Sequence, residues 1–271
     1  MHDHFVYFED KTDVASLDLV TGLADTVHSV SGDNITVPGL TGRVELIGLY
    51  ASMEEAADTI VNAQVRTPSM GTSLGVTAGV DFAQMNNPAS DTFSQNVPIP
   101  YNNLLASPVP LVEGEFMSAY VQGSSTAANA FQTVGVFVGD GNYAMPAVAL
   151  GKPIIRTRFT SATQPAANVW KALTLTHSQT YRAGKYMLVG ARVQQDTART
   201  ARMILQSNSS VRPGVIGVNN VKTPDIAVFR DGALGNWGEF SHTNVPQIEI
   251  FAQTTDTAAN GKYTLDVIQF E

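Results

Sequence analysis

A chain of 271 residues, 44% of them hydrophobic and 15% charged, is long enough for two domains of ordinary size, each with its own core. The absence of cysteine excludes a disulfide framework and thiol catalysis, and fits a reducing compartment or a particle assembled inside a cell. A net charge of −8 argues against coating nucleic acid, which needs clustered Lys and Arg against the phosphates, so no direct nucleic-acid contact is expected.

The amino terminus, MHDHFVYFEDK, lacks the basic stretch and apolar run of a cleaved export signal. No segment approaches the roughly 18 apolar residues of a membrane-spanning helix. Alternating or β-branched runs then predict strands at Phe5–Phe8, Arg43–Ala51, Thr59–Arg66 and Ser73–Phe82. Ser52–Val65 also carries a helical pattern with a Ser52/Glu55 capping box. Its counterpart later in the chain ends in a β-suitable run, so the segment is read as a wide hairpin: strand Val44–Tyr50, tip Ser52–Asp58, strand Thr59–Arg66. Ala83–Pro110 is polar and bears prolines, as a long loop or surface projection does. Glu115–Val121 and Thr133–Val138 read as a second hairpin.

Residues 141–152 read as a linker between a first domain, 1–140, and a second, 153–271. In the second, strands are expected at Ile154–Phe159, Ala172–Thr176 and Ile226–Phe229. A strand is expected at Lys185–Val193, a wide hairpin at Tyr186–Val193 with Ala201–Leu205, and a terminal one at Gln247–Gln253 with Tyr263–Phe270. Gly, Pro, Asn, Ser and Thr clusters separate these runs and stop helices from propagating.

The two halves resemble each other. GRVELIGLYA (Gly42–Ala51) aligns with GKYMLVGARV (Gly184–Val193) at an offset of 142, matching both glycine pairs and Leu46 with Leu188. At the same offset LGV (Leu74–Val76) meets IGV (Ile216–Val218). YVQGSSTAAN (Tyr120–Asn129) meets FAQTTDTAAN (Phe251–Asn260) at an offset of 131, and at that offset Thr133, Val134, Val136 and Phe137 meet Thr264, Leu265, Val267 and Ile268. A period of half the chain suits two tandem domains rather than a solenoid, and the fall in offset from 142 to 131 marks an insertion in the first copy. Short strands, wide connections and units of this length indicate an all-β fold of two tandem jelly-roll β-barrels or sandwiches related by internal duplication.

Charge divides between the copies. Residues 1–140 hold 3 Lys+Arg against 16 Asp+Glu, and residues 141–271 hold 13 against 8. The contrast is sharpest at the first wide hairpins, where Glu54, Glu55 and Asp58 in the first copy match Arg192, Arg199 and Arg202 in the second. These six are the candidate inter-subunit contacts, since opposite surfaces attract and orient partners.

No catalytic constellation accompanies the fold. A cupin-type metal site needs closely spaced histidines within a barrel strand, but the only His-x-His, His2 and His4, sits at the terminus, read as solvated. His28, His177 and His242 are scattered singly. No Gly-x-Ser-x-Gly or phosphate-binding glycine pattern occurs, and paired acids such as Glu113 and Glu115 read as solvent-facing. Neither catalytic, cofactor nor metal residues are therefore expected, and the chain is read as a non-enzyme.

A duplicated jelly roll of about this length, with polar loops and without an active site, resembles the double jelly-roll major capsid proteins of membrane-containing icosahedral viruses. The resemblance is architectural and covers the whole chain. It implies a virion capsid protein made in the host cytoplasm, forming a homotrimer whose six barrels make a pseudo-hexagonal tile. It further implies as partners the capsid lattice itself, other capsid proteins such as a vertex protein, and an internal viral membrane. The acidic amino terminus, with only Phe5, Val6, Tyr7, Phe8 and Val14 apolar, does not suit anionic lipid. The alternative is a tandem β-sandwich binding module for carbohydrate, an adhesin or a phage fibre or spike, in which Tyr101, Tyr143 and Trp237 would stack on sugars.

Overall fold

The structure is a computed structural model that describes residues 3–12, 16, 18–21, 23–24, 29–31, 34–40, 42–54, 60–74, 80–82, 102–123, 128–141, 146–163, 169–177, 180–194, 198–204, 214–216, 237–252 and 261–271. It is almost entirely β, with one short helix and one 3-10 turn among the described residues. The chain divides into two compact units, Phe5–Gly141 and Asn142–Glu271, with Met1–His4 grouped with the latter.

The amino-terminal unit contains β1 (Asp3–Thr12), β2 (Asp18–Leu19), β3 (Leu23–Ala24), β4 (Ser29–Ser31), β5 (Asn34–Thr36), β6 (Val44–Glu54) and β7 (Ile60–Arg66). Helix α1 (Pro68–Leu74) follows, then β8 (Val80–Phe82), β9 (Asn102–Asn103), β10 (Val109–Leu111), β11 (Phe116–Gly123) and β12 (Ala128–Gly139). One sheet runs β10-β6-β12-β1-β3, with β9 also on β6; the other runs β4-β5-β11-β7-β8, with β2 also on β11. Strand β11 shows why its sequence makes a half-buried strand. Met117, Ala119 and Val121 are buried, while Ser118 and Tyr120 between them are partly exposed, the period-2 signature of a pleated sheet. The central strands differ, since Val44–Leu49 of β6 and Val134–Gly139 of β12 are buried without a break. Apart from Glu45 these runs are apolar or glycine, so both faces of each strand are covered.

The carboxy-terminal unit contains β13 (Ile155–Ser161), β14 (Trp170–Ala172), β15 (Leu175–His177), β16 (Lys185–Gln194), β17 (Ala198–Ile204), β18 (Gly214–Ile216), β19 (Gly238–Ser241), β20 (Gln247–Ala252) and β21 (Gly261–Gln269). Its sheets run β15-β13-β21-β16-β19 and β14-β20-β17-β18.

The two units use one plan. The order β3-β1-β12-β6-β10 becomes β15-β13-β21-β16-β19, and β2-β11-β7-β8 becomes β14-β20-β17-β18. The registers match in detail as well. In β6 the pairing with β12 skips Ile47, between Leu46 opposite Val138 and Gly48 opposite Phe137. In β16 the pairing with β21 skips Val189, between Leu188 opposite Val267 and Gly190 opposite Asp266. Ile47 and Val189 are related by the same offset as Gly42 and Gly184, so a bulge falls at the same place in both units. A bulge adds one unpaired residue and bends the strand, which makes it a strong register marker. A second pair of bulges agrees: Val61 in β7 is skipped opposite β11, and Arg199 in β17 opposite β20.

Counting from these bulges, β11 and β12 correspond to β20 and β21 at an offset of 129, as do β10 and β19 through their pairing with β6 and β16. The sequence alignment at an offset of 131 is thus displaced by two positions from the true register. The LGV and IGV match also fails, because Leu74 ends helix α1 while Ile216 ends strand β18. The extra residues of the first unit are therefore shared among several connections before β10.

Both wide hairpins and both terminal hairpins are corrected. Strands β6 and β7 lie in different sheets, as do β11 and β12, β16 and β17, and β20 and β21. Each connection crosses from one sheet to the other instead of turning back beside its own strand. Alternation identifies a strand but not its partner, and β6 takes its neighbours from later in the chain, β12 and β10. Three smaller expectations also change. Ser73 and Leu74 are helical, Ala172–Thr176 splits between β14 and β15 in separate sheets, and Ile226–Phe229 lies outside the described residues. The segment read as a linker includes a 3-10 turn, Ala147–Ala149, whose Ala149 is buried against Met187, Val189 and Ile268, with Phe270 beside them.

Candidate functional site

Four of the six proposed contact residues lie among the described residues. Glu54 is the last residue of β6, Arg192 is on β16, and Arg199 and Arg202 are on β17; Glu55 and Asp58 lie outside the described residues. By register, Arg199 corresponds to Val61 and Arg202 to Gln64, so neither has an acidic counterpart. Arg202 sits directly opposite Glu249 of β20, within its own unit.

Charge reversal between the copies occurs elsewhere. Asp18 faces Val121 across the β2–β11 pair, and Lys171 faces Ile250 across β14–β20, which is the same position by register. Both are exposed. At the turn after β10 and β19 the matched residues are Glu113 and His242. Glu113 lays its carboxylate against Gly39, where any Cβ would collide with it. His242 accepts a hydrogen bond at Nδ1 from the Gly184 amide, 3.1 Å away, and its own amide donates to the Gly184 carbonyl at 3.1 Å.

Ion pairs link several of the described residues. The Arg156 guanidinium donates to both oxygens of the buried Asp266 carboxylate, at 2.7 and 3.2 Å. Arg43 reaches the buried Glu45 at 3.5 Å, and the exposed Lys185 meets Glu271 at 2.6 Å, which raises the lysine pKa above its ordinary value.

A cavity of about 270 Å³ opens in the carboxy-terminal unit between Ile155, Thr157, Thr180, Tyr181, Arg182, Tyr186 and Gln269. Its aromatic wall is built by Tyr181, which packs on Tyr186 at 4.8 Å and edge-on to Phe240 at 5.4 Å. The Tyr186 hydroxyl donates to the Arg182 carbonyl at 2.9 Å. The Tyr181 hydroxyl is buried beside the Thr157 side chain but makes no hydrogen bond of full geometry. Burial pushes its pKa up to about 12, Thr157 draws it back and Tyr186 adds to the rise. The sequence reading missed this cavity, because Thr180, Tyr181 and Arg182 lie in a non-periodic stretch before β16; an aromatic next to a cation was its only signal.

Trp237, expected on a loop, is fully buried and cannot serve as a sugar platform, while Tyr101 and Tyr143 lie outside the described residues. His4 is buried on β1 rather than solvated, and His2 lies outside the described residues. No cluster of metal-ligating side chains occurs among the described residues, and no helix there is long and apolar enough to cross a membrane.

No protein-family profile and no curated protein matches the chain. Among solved structures it is similar to the major capsid protein P2 from bacteriophage PM2, at 9% identity and a TM-score of 0.29, over 99% of this chain and 98% of that one. It is also similar to the PBSX exported protein XepA, at 12% identity and a TM-score of 0.27, over 98% and 86% of the two chains. A β-porphyranase of glycoside hydrolase family 86 from Bacteroides plebeius gives a TM-score of 0.22 at 11% identity, with 88% of this chain covering 37% of that one. All three scores lie below 0.5.

Proposed function

We propose that this chain is a structural coat subunit, a tandem pair of jelly rolls derived by duplication that forms a homotrimeric, pseudo-hexagonal tile of an icosahedral virus shell. The supporting observation is the repeated plan: one strand order in both units, with the strand bulges at Ile47 and Val189 in equivalent places. In each unit the paired orders β1-β12-β6-β10 and β2-β11-β7-β8, or β13-β21-β16-β19 and β14-β20-β17-β18, suit an eight-stranded jelly roll.

Two like units in one chain let three chains present six similar bodies around a threefold axis, which is the geometry a hexagonal tile needs. The opposite charge of the halves, and the Asp18 to Lys171 reversal, suit a ring in which first units abut second units. The partners in this reading are further copies of the chain, a vertex protein and an internal viral membrane. The site of action is the virion, and the role is structural rather than enzymatic.

Light scattering at low and high salt, with negative-stain images of the same sample, tests the proposal. A particle of about 87 kDa, three times the 28.9 kDa chain, with a hexagonal outline is expected. A monodisperse monomer in every condition would overturn it and favour a tandem binding module.

A further inference from the structure

We propose that the cavity beside Tyr181 in the carboxy-terminal unit is a binding site for a carboxylate group. It goes beyond the coat-subunit reading, and only its comparison between the two units rests on the duplication in that reading. The chemistry of the lining carries the inference. Thr157, Thr180 and Tyr181 bring hydroxyl groups, Tyr186 and Gln269 line the space while donating to the Arg182, Ala183 and Glu271 carbonyls, Arg182 brings a permanent cation, and among the described residues no Asp or Glu lines the space. Arg182 forms no ion pair among the described residues, so its charge is not already neutralised there. The Tyr181 hydroxyl is the decisive atom: it is buried without a well-formed hydrogen bond, a state that costs free energy until an acceptor arrives. It stays protonated throughout the physiological range, so toward a carboxylate it acts as a donor.

The other copy supplies an independent pointer to the same ligand chemistry. Counting back from Gly184 to Gly42, the position of Tyr181 corresponds to Gly39, and against Gly39 the amino-terminal unit lays the Glu113 carboxylate. The second copy has His242 in place of Glu113, turned to the Gly184 backbone, so it brings no carboxylate of its own from that turn. One unit thus places a carboxylate at this turn, and the other a tyrosine and an arginine at a cavity that a carboxylate from outside can enter.

The ligand is a small monocarboxylate, free in solution or carried as an acidic side chain of a second copy. Benzoate is the probe, with neutral benzamide as its control, titrated into the full chain by calorimetry and followed by NMR of the tyrosine rings. Benzoate should bind and shift the Tyr181 resonances, whereas benzamide should bind at least about tenfold more weakly. Tyr181→Phe and Arg182→Gln should each weaken benzoate about tenfold. Tyr181→Phe should leave the unliganded protein at least as stable as the native one, because it removes a buried hydroxyl; a merely structural tyrosine would not separate binding from stability in this way.

Sedimentation with and without benzoate distinguishes the sources. If benzoate dissociates an oligomer, and Tyr181→Phe weakens the same association, a neighbouring copy supplies the carboxylate; if benzoate binds with no effect on mass, the ligand is a free one. Either result supports the site. Benzoate that fails to move the Tyr181 signals, that binds no better than benzamide, or that binds both variants as tightly as the native chain would overturn it.

Discussion

Gly184→Ala should be among the most damaging single-methyl additions in the protein. Gly184 holds a φ of 151°, a region that L side chains rarely adopt, and its backbone is fixed from two directions by His242. An added Cβ would run into the Glu271 carbonyl and stand 2.6 Å from the Gln269 side-chain nitrogen. The Glu271 carbonyl cannot simply retreat, because it accepts a hydrogen bond from the Lys185 amide at 3.1 Å. Backbone strain costs about 1–3 kcal/mol, and the lost hydrogen bond about 1 more. The sum of about 2–4 kcal/mol, in a body of this size, corresponds to a drop in Tm on the order of 10 °C. The matched Gly42→Ala, at φ 109°, meets only the Asp140 carbonyl, at 3.1 Å, and should cost no more than about 3 kcal/mol. Calorimetry and urea unfolding of both variants, with Gly151→Ala as a control whose Cβ meets nothing within 4 Å, give the comparison. A Gly184→Ala protein within about 0.5 kcal/mol of the native one would refute the reasoning.

The other predictions address packing, charge and pH. Leu46 and Leu188 occupy one position in the two copies and are fully buried, so Leu46→Ala and Leu188→Ala should each cost about 2–5 kcal/mol by urea unfolding. Asp266→Ala strips the acceptor from a two-point contact and should destabilise by about 1–3 kcal/mol, whereas the exposed Glu271→Gln should change stability little by the same assay. Between pH 10 and about 12 the unfolded tyrosine loses its proton while native Tyr181 keeps it. Stability from this group is therefore complete below pH 10 and is lost as the pH rises through 12, by on the order of 2 kcal/mol. Tyr181→Phe should flatten that alkaline slope relative to the native chain in urea midpoints taken on either side of pH 10. Arg199→Glu alters the residue that the β17–β20 register skips, so it should shift the salt dependence of any self-association without unfolding the unit; an unchanged light-scattering mass across all salt concentrations would count against a contact there.

The match between Gly42–Ala51 and Gly184–Val193 was legible because nothing is inserted within it and because each shared glycine answers a local demand. Gly42 and Gly184 take positive φ, while Gly48 and Gly190 follow the bulge residues. The later blocks were legible only modulo two. Side chains alternate faces with period 2, so an alignment displaced by two positions keeps every buried position buried and looks as good as the true one. Identical Ala-Ala-Asn strings then drew Tyr120 onto Phe251, whereas the register puts Tyr120 with Glu249. Sheet membership was not legible at all, since a crossing connection and a hairpin turn use the same Gly, Ser, Thr and Asn residues. Trp237 was misjudged because its neighbours in sequence are polar, although the chain there enters β19 and the ring turns into the core.

The register also changes what the charge difference between the halves can do. In a closed ring the contacts are heterologous, so the left side of one unit meets the right side of the next, and equivalent positions approach each other only where they line the axis. A facing acidic tip and basic tip at equivalent positions is therefore a special arrangement, and the registers of Arg199 and Arg202, opposite Val61 and Gln64 in the other copy, do not favour it. Charge spread over each unit works in any such ring, because every boundary joins a first unit to a second whatever sides they present. Asp18 and Lys171 fit that kind of selection: the fold holds their strand register constant while their exposed side chains are free to take opposite signs. In the proposed ring such a charge pattern would disfavour contacts between two first units, which would bring acid to acid, and so would specify alternation even where individual ion pairs contribute little.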